Sequence, residues 1–148
     1  METKFNFNSA ICTSREQSER LLRLGLKKET ADMVWLDYSL LPDVEDWRIC
    51  ADYEDWGTWQ EGGIPAWSLH RILSLLPKYI RVRKESFGRF KWTTLELTID
   101  AEFVVWYRED IDNSEVDENF FAEDIYTSLC DCIEWLIKEG YFNKEYLV

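Results

Sequence analysis

Between Tyr79 and Arg108 apolar and polar residues alternate in three successive runs: Tyr79 to Lys84, Arg89 to Ile99 and Glu102 to Arg108. A period of two is the pattern of strands that turn one face to a core. The connections, Glu85-Ser86-Phe87-Gly88 and Asp100-Ala101, are too short to hold a crossover helix. Consecutive strands must therefore run antiparallel, as a meander. A sheet with one apolar face needs a second layer to cover it, and the chain offers helical segments before and after the meander.

The first helix is expected from Thr13, where Thr13-Ser14-Arg15-Glu16 reads as a capping box. Leu21, Leu22, Leu24 and Leu26 supply its apolar side, and Gly25 suits a left-handed stop. Glu29 to Met33 reads as a short helical turn. A second helix, starting at Ser68 or Ala66, carries the stripe Leu69, Ile72, Leu73, Leu75 and Leu76 and ends at Pro77. The last helix is expected from about Asn119 to Glu139, with Phe121, Ile125, Leu129, Cys132, Ile133 and Leu136 in one stripe and Gly140 closing it. Met33 to Tyr38 and Trp47 to Tyr53 read as two short strands. The expected fold is one α+β domain over residues 1–148. Its three-stranded antiparallel meander, with one or two short strands available to extend it, packs against two to three helices, the C-terminal one long.

Composition narrows the class. The chain is 46% apolar and 16% aromatic, which excludes a disordered polymer. A net charge of -12 favours solubility and argues against general affinity for nucleic acid or an anionic membrane. No apolar run is long enough to span a bilayer, and Met1 to Ile11 has no apolar signal core, so a cytoplasmic protein is expected. The four cysteines, Cys12, Cys50, Cys130 and Cys132, form no C-x-x-C pair. Cys130 and Cys132 lie two apart on a helix and point away from each other, as small reduced core residues would.

Catalytic patterns are missing. His70 is the sole histidine and has no partner at a suggestive spacing. Asp110-Ile111-Asp112-Asn113-Ser114-Glu115 superficially resembles a calcium loop, but lacks its sixth-position glycine and has its last glutamate misplaced. No Gly-rich phosphate loop or G-x-S-x-G is present. No catalytic residue, metal ligand or cofactor is assigned.

Charge is instead segregated. Lys78 to Lys91 holds six basic residues against Glu85 alone. Asp37 to Glu61 holds eight acids against Arg48, and Asp100 to Asp124 ten against Arg108. On alternation, Tyr79, Arg81 and Arg83 share a strand face, and Arg89 and Lys91 are expected beside them across the turn. Such a face suits carboxylates or phosphates, either those of a ligand or partner or the carboxylates of the chain's own acidic segments. Trp56, Trp59 and Trp67 fall in a twelve-residue Gly-containing segment and are candidate stacking or hot-spot residues.

Two stretches, Ile64-Pro65-Ala66-Trp67-Ser68-Leu69 and Cys132-Ile133-Glu134-Trp135-Leu136 with Glu139-Gly140-Tyr141, stand beside Thr13-Ser14-Arg15-Glu16-Gln17-Ser18 and Thr30-Ala31-Asp32-Met33. In these the chain resembles a group of small acidic hypothetical proteins encoded by phages and mobile elements of gut anaerobes. The resemblance implies a cytoplasmic setting in an infected or element-bearing bacterium. It carries over no functional residue. The leading expectation is a non-enzymatic binding protein that acts through a protein partner, as an accessory or anti-defence factor whose acidic surface steers it. The alternative is a binder of a nucleotide or other small anion through the Trp-rich loop and the basic hairpin. A metal-dependent hydrolase ranks third, and the surrounding acid argues against nucleic acid.

Overall fold

The computed structural model describes residues 10–37, 47–51, 63–109 and 118–148. Its helices are α1 (Arg15–Arg23), α2 (Leu69–Leu75) and α3 (Ile125–Glu139), with 3₁₀ turns at Lys28–Thr30 and Lys144–Tyr146. The strands are β1 (Met33–Asp37), β2 (Trp47–Ala51), β3 (Ile64–Ala66), β4 (Tyr79–Ser86), β5 (Arg89–Ile99), β6 (Val105–Arg108) and β7 (Glu118–Phe120). They form two antiparallel sheets, one ordered β2-β1-β3 and one ordered β4-β5-β6-β7. The class is α+β, as expected.

Among the described residues the meander is extended to four strands by β7, and not by β1 or β2, the short strands expected to be available for it, which form their own sheet with β3. Glu118–Phe120 pairs with Val105–Tyr107, so the start of the expected last helix is taken by β7. Phe121 is exposed in the link, outside the apolar stripe. α3 begins at Ile125, six residues later than expected, because Asp124 caps it, its carboxylate accepting the Thr127 amide at 3.1 Å. The third strand starts at Val105 rather than Glu102. Asp100 gathers the preceding turn, its Oδ1 accepting the amides of Glu102 (2.9 Å) and Val104 (3.2 Å).

The cap of α1 is displaced by one residue from the expected Thr13/Glu16 box. Ser14 Oγ accepts the Gln17 amide, and Gln17 Oε1 accepts the Ser14 amide at 2.8 Å. The reason is that Thr13 is fully buried and faces inward. Its hydroxyl lies 2.7 Å from Ser18 Oγ and accepts the Trp67 amide at 3.1 Å. Trp35 Nε1 donates to the Thr13 carbonyl at 2.9 Å, and Trp67 Nε1 to Thr30 Oγ1 at 3.0 Å. Asp32 receives both the amide and the hydroxyl of Ser68, the residue that caps α2. The stretches around Thr13, Thr30 and Ile64 thus meet in one polar knot that joins α1, β1, β3 and α2.

One apolar cluster runs from Leu21 and Leu26 through Trp67, Ile72, Ile80, Leu95, Val105 and Tyr107 to the inner face of α3. α3 contributes Tyr126, Leu129, Cys130, Cys132, Ile133 and Leu136, all buried. Trp135 sits among the rings of Tyr107, Phe120 and Tyr141 at 6.1, 5.7 and 5.6 Å, which pins α3 to β6 and β7. The Tyr107 hydroxyl donates to the Pro77 carbonyl at 2.6 Å, and burial, with a smaller contribution from Cys132, pushes its pKa upward. At the end of α3, Gly140 takes the left-handed φ of 80°.

Two outcomes follow from this packing. Thr13→Val keeps the shape of the side chain but leaves the buried Ser18 hydroxyl and Trp67 amide without their partner. Urea unfolding should show a loss of about 1–3 kcal/mol. Partial burial works to raise the pKa of Asp124, but the hydrogen bonds from the Thr127 hydroxyl and amide and from Gln17 and Tyr126 outweigh it and hold it below the ordinary carboxylate value. Its stabilising effect is therefore complete above the unfolded value of about 3.9 and is lost as pH falls through the lower folded value. Below pH of about 4 the urea midpoint should drop less steeply for Asp124→Asn than for the parent.

Candidate functional site

β4 and β5 are joined by a two-residue turn, with Ser86 opposite Arg89. Phe87 and Gly88 both have positive φ, 53° and 74°. This is the backbone of a type I′ turn, whose twist suits a tight hairpin. β6 pairs with β5 over Glu96–Ile99 alone. Among the described residues the hairpin beyond Tyr79 and Glu96 is therefore a two-stranded ribbon, extending past the sheet that anchors it.

The register sorts the side chains. Tyr79 faces Glu96, Arg81 faces Thr94, Arg83 faces Trp92 and Glu85 faces Phe90. Directly opposed residues share a face, so Tyr79, Arg81, Arg83 and the acid Glu85 lie with Phe90 and Trp92. All six are exposed, with Tyr79 at 54%, Phe90 at 60% and Trp92 at 55%. The guanidinium of Arg81 lies 5.2 Å from the centre of the Trp92 ring, and that of Arg83 lies 4.1 Å from Phe90. These are diagonal cross-strand contacts that combine cation–π attraction with apolar cover for the ring faces. Lys78 stands 5.4 Å over Tyr79 at the root, and Phe87 is fully exposed at the tip.

Arg89 and Lys91 are not on this face. The two-residue turn sets even-numbered β4 residues against odd-numbered β5 residues, which places Arg89, Lys91 and Thr93 with Ile80 and Val82. The inner part of that second face is core, with Ile80, Leu95 and Thr93 buried, and Arg89 and Lys91 are exposed nearer the tip. The ribbon is therefore cationic on both faces, and aromatic on one. Among the described residues no carboxylate lies within ion-pair distance of Arg81, Arg83, Arg89 or Lys91.

Trp67 is not a surface residue. It is 0% exposed, and its indole nitrogen is engaged by Thr30. Its neighbours Ile64–Ala66 pair with β1 and Ser68 opens α2, so the chain carries Trp67 inward between sheet and helix. Trp56 and Trp59 lie outside the described residues, as do Asp110 to Glu115. Reading the ribbon from its basic residues alone missed Phe87, Phe90 and Trp92. The signal for two of them was present, since Phe90 and Trp92 alternate with Arg89 and Lys91 and only a register was needed to choose their face.

Among the described residues no group of three His, Cys, Asp or Glu side chains is arranged to hold a metal ion. The described thiols are shielded. Burial, with a smaller contribution from Asp32, pushes Cys12 to about 11, burial pushes Cys130 to about 12, and Cys132 is driven up by the same cause. All three stay protonated at neutral pH, which suits packing and not nucleophilic attack. His70 is exposed on α2. No described helix is long and apolar enough to cross a membrane.

A bulky residue in the left-handed region costs about 1–2 kcal/mol, and Phe87 bears that cost while burying nothing. Phe87→Asn should raise the urea unfolding free energy by about 1 kcal/mol. Trp92→Ala should lower it by no more than about 1 kcal/mol, the range of a cross-strand pair. No protein-family model, curated protein or solved structure matches the chain.

Proposed function

We propose that this chain is a non-enzymatic binding protein that engages a protein partner through the aromatic and arginine-bearing face of the β4–β5 ribbon. The supporting observation is the set of exposed rings, Tyr79, Phe90 and Trp92, interleaved with Arg81 and Arg83. Trp, Tyr and Arg are the residue types that dominate interface hot spots. Their exposure does little for the fold, since the core lies under the other face of the hairpin root.

The way the rings are covered favours a protein over a base-stacking ligand. Each guanidinium lies over a ring, so the face presents N–H forks and ring edges more than open aromatic faces. Forks bind carboxylates, and ring edges bind apolar side chains. The small-anion reading offered Trp56, Trp59 or Trp67 as the stacking surface; Trp67 is buried, and Trp56 and Trp59 lie outside the described residues. As an accessory factor of a mobile element, the protein would act by occupying a host protein rather than by altering a substrate.

A photo-crosslinking residue placed at Phe90 should capture one bacterial protein, and the same residue at exposed Glu139 on α3 should not. Arg81→Glu combined with Arg83→Glu should abolish the capture while leaving the far-UV circular dichroism unchanged. Raising the salt should weaken it, since exposed charges are screened over about 8 Å at physiological ionic strength. Equal capture at Glu139, or capture indifferent to both arginines, would count against this function.

A further inference from the structure

β4 is an end strand, with β5 as its one neighbour among the described residues. It is eight residues long, contains no proline and pairs without a bulge. None of those devices blunts its edge. The phase of the ladder follows from the Leu97 amide, which donates to the Lys78 carbonyl at 2.9 Å. Bonded pairs alternate along an antiparallel ladder, so they recur at Ile80 with Leu95 and at Val82 with Thr93. The peptide groups of Tyr79, Arg81, Arg83 and Glu85 point away from β5.

We infer that the outer edge of β4 takes up an extended segment of the partner by strand addition, and that this segment alternates acidic with apolar residues. The inference rests on the protein-partner reading above and names the partner's chemistry. Strand addition draws affinity from main-chain hydrogen bonds and specificity from alternate side chains. Residues set opposite Arg81 and Arg83 meet exposed guanidiniums that no described carboxylate neutralises, and a carboxylate there is met by a planar fork. The residues between them fall on the side of Ile80 and Val82, where an apolar side chain extends the core face. The charge of -12 on the whole chain acts at longer range and is screened, whereas these pairs form in contact.

Other occupants fit less well. Two β4 edges from two copies would set arginines against arginines in bodies that each carry -12. A nucleic acid has no peptide groups with which to complete a ladder. The same charges on an edge also keep strands of like sign apart, so the edge is selective as well as open.

The test titrates a synthetic eight-residue peptide of alternating Glu and Val, with a Lys–Val twin as control, into the intact ¹⁵N-labelled chain at about 0.15 M salt, where the charge of the whole chain is screened beyond about 8 Å. The Glu–Val peptide should bind and slow hydrogen exchange at the amides of Arg81, Arg83 and Glu85, while the Lys–Val peptide does neither. Arg81→Glu with Arg83→Glu should invert that preference. Arg83→Pro removes an outward N–H without touching the β4–β5 ladder, so it should cost more affinity than Arg83→Ala. Unchanged exchange at those amides, or equal binding of both peptides, overturns the inference. So does a dimer of the chain alone that protects the same amides. Crosslinking at Phe90 without edge protection would leave the partner reading standing and remove this one, whereas loss of both signals would remove both.

Discussion

The register of β4 against β5 is the constraint on which the rest depends. At its inner end β5 lies in the four-stranded sheet, with Leu95 buried and Glu96–Ile99 paired to β6. At its outer end the same strand carries Phe90 and Trp92 into solvent. With β5 held in the sheet, a slip of one residue in β4 would turn Ile80 outward and drive Arg81 toward the core beside Leu95. The energy that forbids it is apolar burial at the root, amounting to about 1.5–3 kcal/mol for each fully buried aliphatic side chain. The tip inherits its pattern from that decision, because the two-residue turn admits no further offset. The composition of the exposed face is thus set by residues that never touch it.

The root itself is held from two directions. α3 lies across β6 and β7 through Trp135 and its ring neighbours. α1 lies against α3 along a polar seam, where Gln17 donates to Asp124 and Thr127, and Arg20 reaches Asp131 at 2.7 Å and Glu134 at 2.5 Å. The Arg20 pairs are part exposed, and such pairs contribute at most about 1 kcal/mol. They orient the helices more than they stabilise them. The polar knot at Thr13, Trp67 and Asp32 has more leverage, because its buried members have no solvent to fall back on.

How much of this was legible in the residues varies with the range of the interaction that decides it. The bounds of β5, the Ser68 cap and the Gly140 stop follow from alternation and capping chemistry, which are local. The shift of the α1 cap from Thr13 to Ser14 was not readable locally, because both residues can cap. The choice fell to Trp67, more than fifty positions away, whose amide claims the Thr13 hydroxyl. Trp67 misled for the same reason: a Trp near glycines suggests exposure until β1 and α2 are seen to enclose it. Arg89 and Lys91 were assigned to the wrong face because alternation fixes which residues of a strand go together but not which set faces which. That parity comes from the turn. β7 escaped notice because three residues are too few to show a period, and its pairing partner alone defines it.

Two described turns place a phenylalanine in the left-handed region, the ribbon tip at Phe87 and the turn before β6 at Phe103, with φ of 53° and 64°. Glycine occupies the left-handed positions that follow α1 and cap α3, at Gly25 and Gly140. At the hairpin tip the first turn position goes to Phe87 instead, where an asparagine would relieve strain and a polar residue would remove a fully exposed ring. Strained backbone is over-represented at ligand-contact positions, so the tip supports the proposed binding face. The neighbouring rings and guanidiniums point the same way, since they satisfy one another only in part and leave edges and forks outward. The fold uses most of its apolar residues to close the root and leaves a second, smaller set on a ribbon whose register sets their order. A partner that completes the β4 ladder would gain from that order, because the groups it needs are already aligned and little conformational freedom remains to be lost.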